Sequence, residues 1–378
     1  MFSRRRFLPG SATMAGVMAA SAVPIAGAQA STVRPPMYGP AVGIAKLNAN
    51  ENPYGPSKKA MHAMMEATAK GAYYVGGSVP RLINMIAERH DITPEHVALS
   101  SGSSGVLQYL AVAKLKEGKV LGPDLFWDTT TRAAIRQGGE MKRIAKTDDL
   151  SIDLDALYEA ITPDVSMVQI CNPNNPTGMV LPSSDLKKFI KKASKKCTVL
   201  VDEAYNEITD FPEENSMVPL IKEGYDVYVA RTFSKIYGLA GMRVGYMIAS
   251  PENIEKMQVY GLGNYAMNQA GVAAAMASYN DVEFLNFSKE RIVEARGMII
   301  DAVKKNGLTA APSETSFVFV NLGKLNAQTF REHMEEENVY IRGIYQDYTN
   351  WSRVSCGLIP DVRQYVEAMP KVLEKMKA

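Results

Sequence analysis

From Lys58 onward, short β-branched apolar runs alternate with segments whose apolar residues recur about every three to four positions. The runs are Val97–Leu99, Lys119–Leu121, Met141–Ile144, Val165–Ile170, Thr198–Val201, Val227–Arg231 and Gly245–Ile248. Around them lie amphipathic stretches over Lys58–Lys70, Ser104–Lys116, Thr129–Gln137, Leu154–Ile161 and Ser184–Ser194. Short apolar runs mark strands and a period of about 3.6 marks helices. Their alternation predicts an α/β layer, a largely parallel sheet covered by helices.

After about residue 265 the order changes. Helices over Met267–Ser278 and from Asp281 to Asn306 precede a strand Ser316–Val320 and a helix Gln328–Glu337. Strands near Val339–Ile341 and Arg353–Ser355 and a last helix Val362–Lys377 complete the chain. That order predicts a smaller α+β unit. Asn280 is the candidate N-cap of the long helix and Gly307 its candidate stop. Residues 31–60, rich in Pro, Gly and Asn, read as an extended arm. The expected divisions are a leader over 1–30, the arm over 31–60, a large domain over 61–265 and a small domain over 266–378.

The leader reads as an address. Ser3-Arg4-Arg5-Arg6-Phe7-Leu8 is followed by a small-residue apolar stretch from Ala12 to Ala26, and Ala28-Gln29-Ala30 offers a cleavage site. A charged start, an apolar middle and a small-residue exit describe a bacterial export signal. The paired arginines resemble the twin-arginine (Tat) class, which implies a periplasmic protein. The alternative is an uncleaved anchor, but Gly16, Pro24 and Gly27 break the apolar stretch. No later run reaches the ~20 apolar residues of a membrane span, so no membrane association is expected once the signal is removed.

The chain has 378 residues with 42 basic and 40 acidic side chains, a length suited to roughly two or three domains. Setting aside Arg4, Arg5 and Arg6 leaves 39 basic side chains against the same 40 acidic ones. A body so nearly neutral carries no electrostatic footprint for nucleic acid. Cys171, Cys197 and Cys356 are widely spaced, and the four histidines form neither an HExxH nor a Cys/His cluster. Neither a metal site nor a disulfide framework is expected.

Four polar segments fall where strands end, the place where a parallel sheet collects its ligands. Ser100-Ser101-Gly102-Ser103-Ser104-Gly105 joins a strand to a helix and suits an anion at a helix start, although such turns are common. Cys171-Asn172-Pro173-Asn174-Asn175-Pro176-Thr177-Gly178 is a stiff loop able to hold an amide in one orientation. Asp202-Glu203-Ala204-Tyr205 ends a buried strand, where an acid is costly unless it meets a cation or donors. Arg231 to Gly245 gathers Thr232, Ser234, Lys235 and Arg243 in one glycine-hinged loop, combining phosphate ligands with a candidate Schiff-base amine.

These segments, with Asn50-Glu51-Asn52-Pro53-Tyr54-Gly55-Pro56, resemble in order and spacing the fold-type I pyridoxal 5'-phosphate (PLP) aminotransferases. The likeness is greatest to the histidinol-phosphate aminotransferase group and covers about residues 38–376. It implies a large domain with a mostly parallel seven-stranded sheet and a smaller α+β C-terminal domain. It also implies that Lys235 forms the internal aldimine, that Asp202 pairs with the ring nitrogen, and that Asn175 and Tyr205 bind the ring's phenolic oxygen. Gly102, Ser103, Ser104, Thr232, Ser234 and Arg243 would hold the phosphate. Tyr54 would reach the phosphate of the partner subunit in a homodimer. Pro123-Asp124-Leu125-Phe126-Trp127 departs from the family's P-T-Y, which leaves Trp127, or failing it Phe126, as the ring over the cofactor. Ser104-Gly105 likewise departs from the usual pair at that helix start, with altered local hydrogen bonding as the expected result.

For the substrate, the resemblance implies Arg353 as the carboxylate or phosphate clamp and Arg342 as a second anion site. Tyr38 and Asn52 complete the expected substrate contacts. The implied activity moves an amino group from an L-amino acid, or a histidinol-phosphate-like amine, to a 2-oxo acid such as 2-oxoglutarate. A PLP-dependent decarboxylase or racemase, or a non-catalytic PLP- or amino-acid-binding protein, are the alternatives. A serine hydrolase using Ser103 or Ser104 lacks a histidine in triad context.

Overall fold

A computed structural model describes residues 36–377. The expected export signal lies outside the described residues, as do 31–35 of the arm. The chain divides into a leading unit up to Ala41 and a second unit from Val42. In the leading unit, residues 36–41 adopt no helix or strand, and Tyr38 is 85% exposed. The second unit carries the strands β1 (Ala45–Lys46), β2 (Val97–Ser100), β3 (Lys119–Pro123), β4 (Met141–Ile144), β5 (Val165–Cys171) and β6 (Thr198–Asp202). It continues with β7 (Val227–Thr232), β8 (Gly245–Ile248), β9 (Thr309–Ala310), β10 (Phe317–Asn321), β11 (Val339–Tyr340) and β12 (Trp351–Ser355).

Seven of these form one sheet in the order β2-β8-β7-β6-β5-β3-β4. Only β8 runs antiparallel to its neighbours, and the other pairings are parallel. The predicted mostly parallel, seven-stranded layer is therefore what forms. β6 and β7 are buried along their whole length because helices cover both faces, the usual fate of parallel strands. One covering helix, Ser183–Ala193, buries Leu186, Phe189, Ile190 and Ala193 along a single stripe.

The C-terminal part has its own antiparallel sheet, β12-β10-β9, flanked by the packed helices Val282–Lys305 and Ile359–Lys375. The stretch read as an arm is extended, but it is also paired. β1 lies parallel to β11, and the Ser355 N–H donates to the Leu47 carbonyl at 2.9 Å. Residues 45–50 thus run beside β11 and β12, the strand that carries Arg353.

Two expectations change. Asn280 does not cap the long helix: Asp281 precedes Val282–Lys305, and Asn280 closes the helix Gln269–Tyr279. The two helices abut without a loop, which leaves Asn280 Oδ1 to accept from Arg89 at 2.7 Å. Gly307 does follow the long helix at φ +71°, as a C′ residue should. The helix Ser78–His90 escapes the pattern because its start, Gly76-Gly77-Ser78-Val79-Pro80, has the composition of a turn. Its stripe of Val79, Leu82, Ile86 and Ala87 is nevertheless fully packed.

The arm meets the lysine-bearing loop at two glycines. Gly238 has φ +67°, and a Cβ there would lie 2.5 Å from the Gly55 Cα. We predict that Gly238→Ala destabilises the protein by at least the ~1–3 kcal/mol that a left-handed non-glycine residue costs. Urea denaturation measures this, and an unchanged midpoint would show that arm and loop are not held in contact.

Candidate active site

The parallel strands β5, β6 and β7 all end at the same sheet edge, so the segments after them converge. There they meet the start of the helix Ser103–Glu117, residues 48–51 of the arm, and β12 around a cavity of about 590 Å³. Asn175, Asp202, Tyr205, Thr232, Ser234 and Lys235 line it, with Ser103, Ser104, Arg243, Arg342, Arg353 and Trp127. Residues more than a hundred positions apart in sequence become one chemical surface.

One end of the cavity is an anion cradle. Arg243 reaches Ser104 Oγ at 3.1 Å and Ser234 Oγ at 3.3 Å, and Thr232 Oγ1 donates to Ser234 Oγ at 2.9 Å. Among the described residues Arg243 has no carboxylate partner, while the helix beginning at Ser103 presents free N–H groups. Gly102 does not line the cavity. Its φ of +73° turns the chain into the helix, and a Cβ there would stand 2.1 Å from an Arg243 nitrogen. Ser100, the first residue of this segment, explains how the helix starts without the usual pair. Its hydroxyl accepts the Val106 N–H at 3.0 Å and donates to the Gly102 carbonyl at 2.6 Å.

The middle of the cavity holds the titrating groups. Strand alternation sends Asp202 and Glu203 to different surroundings. Glu203 is neutralised by Arg231 at 2.7 Å, whereas Asp202 faces the cavity with only the Ala204 N–H as donor, at 3.2 Å. Burial pushes its carboxyl up to about 6 despite the nearby Lys235 ammonium. Lys235 Nζ donates to the Asn50 carbonyl at 2.9 Å. Burial first, then the Arg353 guanidinium, lower its amine to about 8. A buried carboxylate with no ion-pair partner among the described residues and a lysine poised near neutrality are what a cationic ring nitrogen and a Schiff-base carbonyl require.

At the far side, Arg353 is 6% exposed and has no carboxylate partner among the described residues. It donates to Asn175 Oδ1 at 2.9 Å and to the Asn48 carbonyl at 3.1 Å, and its Nε has no partner. A buried guanidinium so placed calls for an anion. Arg342 is exposed at the mouth, and the Tyr345 ring lies between it and Arg353, 5.5 and 5.4 Å from the two guanidinium carbons. Trp127 and Phe126 both line the cavity. Trp127 is half-buried, while Phe126 packs deep against Gly122.

Asn52 and Tyr54 do not line this cavity. The Asn52 amide is committed to the Ile236 carbonyl and Ser288 Oγ, at 2.7 and 2.9 Å, so it faces the protein interior and not the cavity. The Tyr54 hydroxyl accepts the Ile359 N–H at 3.1 Å, and its ring meets Phe287 edge-on. Tyr38 belongs to the leading unit, and its role stays a proposal. Conversely, Asn48, Asn50, Arg132 and Tyr345 line the cavity without having been singled out. Asn50 begins the Asn50-Glu51-Asn52-Pro53 run of the arm. Arg132 is visible only as the i+4 partner of Asp128, a spacing that equally describes an ordinary surface pair.

A phosphate fits the Arg243 cradle, a protonated ring nitrogen fits Asp202, and a carbonyl fits Lys235. The sheet order with these strand-end groups is the fold-type I arrangement of PLP enzymes. The sequence profile of the family described as Aminotransferase class I and II matches residues 42–368, and the chain belongs to that family. It is 32% identical over 316 residues to the histidinol-phosphate aminotransferase of Brevibacillus brevis, covering 83% of this chain and 86% of that one. It is 35% identical over 339 residues to histidinol-phosphate aminotransferase 1 of Dechloromonas aromatica, covering 88% and 91%. The structure of histidinol-phosphate aminotransferase from Sinorhizobium meliloti in complex with pyridoxal-5'-phosphate superposes with a TM-score of 0.79 at 26% identity. That match covers 88% of this chain and 91% of that one.

Because burial lowers the Lys235 amine to about 8, its neutral form dominates above that pH, whereas a surface lysine stays charged to about 10.4. Reductive trapping of PLP on the protein should therefore rise with a midpoint near the Lys235 value and vanish in Lys235→Arg. A midpoint at the surface-lysine value would refute the burial of the amine.

Proposed function

We propose that this aminotransferase moves an amino group between an α-amino acid, or a histidinol-phosphate-like amine, and a 2-oxo acid such as 2-oxoglutarate. The observation that carries this reading is Arg353, a buried guanidinium with no carboxylate partner among the described residues, in the same cavity as Lys235 and Asp202. When bound, PLP supplies a carbonyl that captures amines and a protonated ring that withdraws electrons from the substrate carbon.

The protein's own groups do the rest. Ser104, Ser234 and Arg243, with the helix start at Ser103, hold the phosphate through charge-assisted hydrogen bonds. Asp202 keeps a proton on the ring nitrogen, since a carboxylate buried without another cation favours a positive partner. Lys235, whose amine burial holds close to neutrality, would take the proton from the substrate carbon. Arg353 receives the substrate carboxylate or phosphate in its planar fork and so orients the carbon toward Lys235. Trp127, half-buried in the cavity wall, would pack against the cofactor ring and exclude water from it. Arg342, at the mouth, offers a second cation for a substrate with a distal anion. Decarboxylation and racemisation use the same fold, and the product separates them: transfer releases an oxo acid and leaves the amine on the cofactor.

We further propose a homodimer. Met61, Met65, Tyr73, Tyr74, Val259, Leu262 and Tyr265 are all more than half exposed, an apolar load unusual for a monomer surface. Tyr54 would then face the partner's phosphate. Ser3-Arg4-Arg5-Arg6-Phe7-Leu8 supports export to the periplasm through the twin-arginine route.

Three outcomes test this reading. Glutamate, aromatic amino acids or histidinol phosphate, added singly to the PLP-loaded protein, should convert the cofactor to its amine form with release of a 2-oxo acid or, from histidinol phosphate, a ketone. No conversion by any amine would reject the transaminase reading. Arg353→Leu should lower kcat/KM for the carboxylate- or phosphate-bearing substrate roughly ten- to a hundredfold, the worth of a hydrogen bond to a charge. An unchanged ratio would remove Arg353 from the substrate. Replacing Arg4 and Arg5 by Lys should hold the protein in the cytoplasm, and continued export would exclude the twin-arginine route.

A further inference from the structure

Tyr205 is 3% exposed and projects its hydroxyl among two asparagines. Asn175 Nδ2 lies 3.4 Å from it. The orientation of that amide is dictated by Arg353, which can only donate and already binds Asn175 Oδ1 at 2.9 Å. Asn50 Nδ2 donates to the same hydroxyl at 2.8 Å. Asn50 Oδ1 in turn accepts from Ser355 Oγ at 2.7 Å, and Asn50 and Ser355 are 5% and 1% exposed. Both lone pairs of the Tyr205 oxygen are therefore occupied by amide donors. Its single proton has nowhere to go but into the cavity.

We propose that Ser355 and Asn50 are positioning residues that force Tyr205 to act as a hydrogen-bond donor toward the ring oxygen of the bound cofactor. This rests on the reading that PLP occupies the cavity. The line runs from the Ser355 hydroxyl to the Asn50 amide oxygen, and from the Asn50 amide nitrogen to the Tyr205 oxygen. It ends with the Tyr205 proton on an acceptor in the cavity. Asn50 is the junction, since its backbone carbonyl also accepts from Lys235. The remaining groups facing Tyr205 are Asp202 of β6, Cys171 of β5, Lys235, 5.3 Å from the ring, and Arg353 of β12; Phe317 of β10 is apolar. None of them accepts the tyrosine proton in the structure.

A donor on the ring oxygen draws electron density from it and makes the neighbouring cofactor nitrogen less basic. Losing the relay raises that basicity. The experiment titrates the absorbance of the full-length, PLP-loaded protein against pH in the wild type, Asn50→Ala, Ser355→Ala, Tyr205→Phe and Asn50→Ala/Tyr205→Phe. The midpoint should rise by about one pH unit in Tyr205→Phe, equivalent to a tenfold change in the equilibrium. It should rise by part of that in Asn50→Ala and Ser355→Ala. In the Tyr205→Phe background, Asn50→Ala should add nothing, because the coupling runs through the hydroxyl.

A midpoint that stays or falls in the single variants would overturn the proposal, as would an additive shift in the double variant. PLP retention and the urea midpoint, measured on the same samples, identify a variant that has merely lost its fold, and Ser355→Thr, which keeps the hydroxyl, should restore the wild-type midpoint. A wild-type protein that shows no cofactor band would instead defeat the PLP reading itself, so the two failures are distinguishable.

Discussion

The molecule depends on keeping several charges out of water without pairing them to one another. Arg353, Asp202 and Arg243 border one cavity, and no ion pair joins them. Desolvating a charge in this way costs several kcal/mol in real proteins. The scaffold tolerates it because the arginines are held by backbone carbonyls, hydroxyls and the Asn175 amide oxygen, and Asp202 by the Ala204 N–H, none of which can neutralise them. A ligand bearing a phosphate, a protonated ring nitrogen and a carboxylate supplies the missing charges, so much of the unfavourable burial becomes binding energy once it enters.

The contrast between Glu203 and Asp202 shows how the fold separates structural from functional charge. They are consecutive and both buried. Glu203 finds Arg231 and the Met217 N–H, at 2.7 and 2.6 Å, and is fully satisfied. Asp202 finds one N–H and an open cavity. Asp202 ends β6 and Glu203 follows it, its N–H still paired to the Ala230 carbonyl at 2.9 Å, so the alternation of extended backbone decides which acid is spent on stability and which is left for chemistry.

Much of this was legible along the chain. Strands β5, β6 and β7, parallel to one another and largely buried, read as mostly apolar runs, and the bounds expected for β4 and β8 agree residue for residue with the strands. The motifs at 172–178, 202–205 and 234–243 stand at strand ends, so their convergence follows from a parallel sheet. The arm was harder. Residues 45–50 carry no periodicity, because β1 is only two residues long and its partner β11 lies nearly three hundred positions away. Asn50 thus looked like one letter of a motif, while in the fold it touches Lys235, Tyr205 and Ser355. Asn52, two residues on, looked equivalent and turns its amide inward to Ile236 and Ser288.

Local order, then, was determined by the sequence alone: the alternation of elements, the loops with their polar cargo, and the family those loops resemble. These depend on periodicity and on residues adjacent in the chain. Tertiary structure alone decided which polar groups are left unpaired, that Trp127 reaches the cavity while Phe126 packs more deeply beside it, and that the arm and β12 form one wall. An unpaired charge is a property of everything around it. Its neighbours here come from strands and loops that meet only when the sheet closes, and no spacing along the chain encodes their distance.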